Sequence, residues 1–149
     1  MNILRNAAII GALSVLTFAG ASAIAAEDPI ATRQAIMSSV GAAAGLGGGM
    51  MKGDVAYSPA AGKSAIATMR AASLTFGDFF PEGSDDGDTT ASPKIWEDMA
   101  GFQEKLESLQ TDTAMAAMDV PQAQAAVQEL VGMLGKSCKG CHEEYRIKK

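Results

Sequence analysis

The sequence predicts an all-α protein, an antiparallel (up-down-up-down) four-helix bundle. Three observations carry that reading. Four of the five prolines stand where helices would start, apolar residues recur at steps of three and four between them, and no stretch alternates convincingly with the period of two that a strand needs. A proline at the first helical position costs nothing, because its missing N–H would have no intrahelical partner there. A preceding Asp or Ser caps the amides behind it.

Ahead of the helices, residues 1–25 read as an export signal. Arg5 supplies an early positive charge, an apolar run covers residues 7–19, and Ala23 and Ala25 form the A-x-A pattern that signal peptidase accepts, with cleavage after residue 25 or 26. The alternative, an uncleaved anchor, wants a longer apolar run that does not end in small residues. Residues 26–149 then suit one domain with no membrane span, burying roughly two-thirds of its unfolded surface.

The first helix opens at Asp28-Pro29 and runs to about residue 51, with Ile30, Met37, Ala44 and Met51 at steps of seven. Late in it stand Gly41, Gly45, Gly47, Gly48 and Gly49. Each glycine costs up to about 1 kcal/mol relative to Ala. Either the helix ends early, near Leu46, or another backbone or subunit approaches where only small residues fit. The second helix opens at Ser58-Pro59 and reaches about residue 76, Ala-rich, with Ile66, Met69 and Phe76 along one side. Residues 77–90 hold Asp78, Glu82, Asp85, Asp86 and Asp88 with three glycines, and read as an exposed loop, solvated or partner-docking rather than catalytic. Ser92-Pro93 opens the third helix, where Ile95, Met99, Phe102, Leu106 and Leu109 repeat at steps of four and three. Pro121 opens the fourth, with Asp119 substituting for the poor cap Val120; Val127, Leu130, Val131, Leu134, Cys138, Cys141 and Tyr145 make one stripe.

Twelve basic against 17 acidic residues argue against nucleic acid or an anionic membrane surface as partner, and a charge-steered partner would carry a basic face. A hydrolase or group-transfer enzyme lacks its usual parts here. There is no second histidine, no phosphate-binding glycine loop after a strand and no dinucleotide pattern.

Chemistry concentrates in Cys138-Lys139-Gly140-Cys141-His142, the C-x-x-C-H attachment sequence of c-type haem. On a helix, positions i, i+3 and i+4 share a face, so both sulfurs and the imidazole point one way. Each thiol can add to one haem vinyl group as a thioether, and the histidine then reaches the iron from the side of the ring plane. A zinc site would need further Cys or His ligands, which the chain lacks. A thioredoxin-like dithiol belongs at a strand-to-helix junction, and a disulfide across three residues closes too small a loop to stabilise much. The only two cysteines and the only histidine fall within five residues, which points to haem.

The chain resembles the class II cytochromes c, the cytochrome c′ family of periplasmic four-helix haem proteins. The likeness rests on Cys138-Lys139-Gly140-Cys141-His142-Glu143-Glu144-Tyr145-Arg146 near the C-terminus, on Ser92-Pro93-Lys94-Ile95-Trp96 with Phe102 following, and on Arg33-Gln34-Ala35-Ile36-Met37, Lys52-Gly53-Asp54 and Tyr57. The resemblance implies one covalent haem c, thioether anchors at Cys138 and Cys141, and His142 as proximal iron ligand. It implies Arg146 beside that imidazole, Arg33 and Gln34 against the haem, and Met37 over the distal face of the iron. If the Met37 sulfur binds iron, the site is six-coordinate, and Met/His ligation raises the potential. If Met37 only shields, the iron is five-coordinate and open to nitric oxide or carbon monoxide. Met37, Phe102, Leu134, Met99 and Trp96 are expected to line an apolar haem pocket. One-electron transfer to redox partner proteins leads as the function, gas binding follows, and a haem-free thiol oxidoreductase comes last. A homodimer through the first two helices is a further implication of the family.

Overall fold

The computed structural model describes residues 28–148. The predicted export segment, residues 1–25, lies outside them. Four long helices build the bundle: α1 (Pro29–Lys52), α2 (Pro59–Thr75), α4 (Met99–Met118) and α5 (Gln124–Tyr145), with a one-turn helix α3 (Lys94–Glu97) leading into α4. Contacts run in a ring, α1 on α2, α2 on α4, α4 on α5 and α5 back on α1. Among the described residues there is no strand, only an isolated antiparallel bridge between Ala91 and Arg146. None of the described helices is long and apolar enough to cross a membrane.

Two of the proline starts behave as expected. Asp28 Oδ1 accepts from Ala31 N at 2.9 Å, and Ser58 Oγ accepts from Ala61 N at 3.4 Å. Two differ. The predicted third helix is broken at Asp98, whose backbone leaves the helical region (φ −135°, ψ 58°) so that its carboxylate can cap Gly101 N at 3.1 Å. The fourth helix begins at Gln124 rather than Pro121, after an extended Ala123 with no side-chain cap. Pro121 is buried instead, and its carbonyl accepts from the Tyr57 hydroxyl. Asp119 closes α4 and does not cap α5.

The glycine-rich stretch stays helical to Lys52, so the early end near Leu46 is not realised. Close approach explains only part of it. A Cβ on Gly47 would touch Val131 at 3.5 Å and one on Gly49 would press on Val55 at 2.9 Å, whereas Gly41, Gly45 and Gly48 face open space. The buried side of α1 is set by Arg33, Ala43 and Met50, not by the predicted seven-residue stripe, in which Ala44 is exposed.

The interior has two apolar clusters. Ala43, Ala65, Met69 and Leu134 form one between α1, α2 and α5; Phe80, Ile95, Phe102, Leu106 and Tyr145 form the other, with Phe76, Ala91, Trp96, Met99 and Cys141 packed against it. The acidic loop contributes to the second. Its carboxylates are exposed, but Phe80, Ser84 and Thr89 are buried, making it a strap over the aromatic cluster.

Candidate functional site

Cys138, Cys141 and His142 occupy the last two turns of α5, on one face by helical spacing. Both cysteines are free thiols and half-buried. Cys138 lies on the wall of an apolar cavity of about 180 Å³, lined also by Ala43, Gly47, Ile66, Met69 and Leu134. Cys141 packs against the aromatic cluster. The two sulfurs therefore face the two halves of the interior.

Burial pushes both thiols above their ordinary value of 9.0, so each stays protonated at neutral pH. Dithiol exchange centres depend on the opposite shift, a thiol pKa lowered by nearby positive charge or a helix N-terminus, which speaks against the oxidoreductase reading. His142 reaches the surface and makes no hydrogen bond among the described residues. Partial burial, and then the positive charge of Arg146, hold its pKa below 6.5. The imidazole is neutral at pH 7, the form that binds a metal. No group of three or more His, Cys, Asp or Glu side chains converges among the described residues, so a zinc shell is not assembled.

The turn that carries these groups is tied down on several sides. Glu144 takes Lys94 Nζ at 2.7 Å on one oxygen and Lys105 Nζ at 3.3 Å on the other. The Tyr145 hydroxyl donates to Asp98 Oδ2 at 2.8 Å. Backbone bonds from Ser92 N to Tyr145 O and from Ile147 N to Thr90 O, 2.9 Å each, stitch the end of α5 to the end of the strap.

On the α1 side, Arg33 is buried at 4% exposure. Its guanidinium donates to Phe79 O (2.8 Å), Ser84 Oγ (2.8 Å) and Ser84 O (2.7 Å), and lies over the rings of Phe80 and Trp96. Gln34 Nε2 donates to Asp88 O at 2.6 Å. Both residues thus bind the strap. Met37 is half-buried one turn further along α1. Of the residues expected to line a pocket, Leu134 is on the cavity wall, whereas Phe102 (1% exposed), Trp96 and Met99 belong to the aromatic cluster beneath Cys141.

Comparison with known proteins decides the family. The family model described as Cytochrome C′ matches residues 28–146. The chain belongs to the cytochrome c′ family. A cytochrome c-556 of Agrobacterium fabrum is 34% identical over 129 residues, covering 87% of this chain and 88% of the relative. The solved cytochrome c′ from Rhodopseudomonas palustris superimposes with a TM-score of 0.78 at 32% identity, over 83% of this chain and 99% of that one. A point mutant of cytochrome c prime from Alcaligenes xylosoxidans, solved as its nitric oxide complex, gives 0.72 at 27% identity over 82% and 96%.

As a cytochrome c′ family member the protein is a c-type haem protein with a covalently attached haem c. The residues present fit that group on their own chemistry. Two protonated thiols stand three residues apart against an apolar interior, and a neutral imidazole with no competing hydrogen bond adjoins the second. Sequence reasoning missed the side chains that hold this turn: Asp98, Lys94 and Lys105. The one signal available was Asp98 followed three residues later by Gly101, a cap hidden inside an apparently continuous helix.

Proposed function

We propose that this cytochrome c′ family member carries single electrons in the periplasm, its haem c bonded through Cys138 and Cys141 and its iron held by His142. The observation that carries the reading is the α5 face itself, with two free half-buried thiols against an apolar interior and, next to the second, an unengaged neutral imidazole that reaches the surface. Haem c, when bound, supplies an iron couple that changes by one electron with no substrate bond made or broken. The chain's residues do the rest. Leu134 and the other cavity walls, with Phe102 and its aromatic neighbours, exclude water, which favours the less charged iron(II) state. Partial burial, and then the charge of Arg146, keep the imidazole neutral. Arg33, Gln34 and Phe102 complete the surroundings of the cofactor, and Met37 covers its distal side. Residues 1–25 direct export. The small, uncharged residues Ala31, Ala35, Ala42 and Gly45 on the exposed side of α1 suit close packing in a homodimer.

The second reading is binding of nitric oxide or carbon monoxide at a five-coordinate iron. It is favoured by the solved nitric oxide complex of the Alcaligenes relative. One preparation tests both. In acidified acetone the natively matured protein keeps its colour on the polypeptide, and its mass exceeds the peptide mass by one haem. If Met37 ligates, the reduced spectrum scarcely responds to carbon monoxide; a strong response moves the assignment to gas binding. A colourless product of bare peptide mass, made in a host that matures c-type haem, overturns the haem attachment itself.

A further inference from the structure

The break between α3 and α4 has a partner at the end of α5. Asp98 turns out of the helix and spends both carboxylate oxygens, Oδ1 on Gly101 N at 3.1 Å and Oδ2 on the Tyr145 hydroxyl at 2.8 Å. Tyr145, 3% exposed, stands three residues after His142, with its ring at 5.5 Å from Phe102. Gly101 shows independently that the arrangement is specific. A Cβ there would lie 2.4 Å from Asp98 Oδ2 and 2.5 Å from the Tyr145 hydroxyl, and neither atom is the end of a free side chain.

We propose that Asp98, seated on Gly101, is a positioning residue for the proximal imidazole, acting through Tyr145. Among the described residues His142 has no hydrogen bond of its own, so its height and angle are inherited from the helix turn on which it sits. Exposed ion pairs at Glu144 and two backbone bonds also hold that turn, but the Tyr145 hydroxyl on Asp98 is the side-chain bond that ties it to the aromatic cluster. Releasing the hydroxyl lets the last turn of α5 shift while the thioether at Cys141 keeps the cofactor attached. The inference rests on the reading of His142 as iron ligand, and it adds a residue from a different helix to the control of that ligand.

The test compares natively matured holoprotein of the wild type with Tyr145→Phe and Asp98→Asn. Tyr145→Phe removes only the hydroxyl. Asp98→Asn keeps an oxygen for Gly101 N, and its amide can donate to the tyrosine oxygen. The expected result is full haem mass in all three, faster amide exchange over residues 141–145 in Tyr145→Phe, and a shifted or broadened iron–histidine stretching band in its reduced state. Where the iron takes carbon monoxide, its dissociation changes by roughly threefold to tenfold, the range one hydrogen bond imparts; where Met37 ligates instead, the reduction potential of Tyr145→Phe shifts from wild type. Asp98→Asn stays close to wild type. If Tyr145→Phe does not fold, Asp98→Ala gives the same readouts with the tyrosine ring in place. A variant that loses thermal stability while its stretching band and carbon monoxide kinetics match wild type makes the contact structural only and overturns the proposal. Wild-type protein without haem overturns this inference and the underlying function together.

Discussion

A guanidinium that is almost wholly buried must find partners that replace its lost water. Arg33 is held by two carbonyls, a hydroxyl and two aromatic faces. A desolvated cation–π contact is worth about 2 kcal/mol, and each bond from a charged donor contributes about 1.5–3 kcal/mol against the cost of burial. Burial pulls its pKa down, but the group remains charged across the physiological range. That Arg33 mattered was legible from its position in the resemblance; that it would clamp the strap was not, because Phe79 and Ser84 lie some fifty residues away. Asp98 is the residue with a pH consequence. Hydrogen bonds from Tyr145 and then Gly101 hold its pKa below the ordinary 3.8, while Tyr145 is pushed up to about 12, chiefly by burial. A depressed carboxylate contributes stability that is complete above its unfolded value and lost as pH falls through its folded one. Denaturant unfolding followed from pH 5 downward should show stability falling below about pH 4. In Asp98→Asn that component of the acid limb should be missing, and an acid limb unchanged by the substitution would refute the assignment.

Among elements, α1 tests how far helix propensity is overridden by context. Its five late glycines lower intrinsic stability, yet the helix continues to Lys52, because Ala43 and Met50 are buried and Gly53 terminates it in the left-handed region (φ 81°) with its N–H on Met50 O. Two substitutions separate the roles of these glycines. Gly53→Ala forces a Cβ into the left-handed region and should cost about 1–2 kcal/mol. Gly41→Ala meets open space and should stabilise the monomer by about 0.5–1 kcal/mol. Thermal unfolding of both variants gives the comparison, and equal effects would contradict it. The capped starts at Asp28 and Ser58 were legible because a cap and its proline are neighbours in sequence. The break at Asp98 was not, since the apolar spacing runs through it and its cause is a tyrosine on another helix. Pro121 misled for a similar reason: it fills the space under Tyr57 rather than opening α5.

At the scale of the whole molecule, α5 lies where the two apolar clusters meet, with one cysteine toward each. A group bonded at both positions would draw on both halves of the interior, so its loss should weaken the whole bundle. The double variant Cys138→Ser/Cys141→Ser, matured like the wild type, should run at bare peptide mass and melt lower by about 10 °C or more. An unchanged melting temperature would mean that the bundle is complete without its cofactor. The helical class, the family and the attachment motif were all legible in the chain before any fold was known. Each depends on local spacing: a cap beside a proline, apolar residues at three and four, and two cysteines with a histidine inside five residues. What surrounds that motif came from packing: the strap held by Arg33, the two lysines on Glu144 and the Asp98–Tyr145 contact. Those pairings join residues about forty to fifty positions apart, and burial of polar groups between packed helices selects their partners by geometry that no local pattern records.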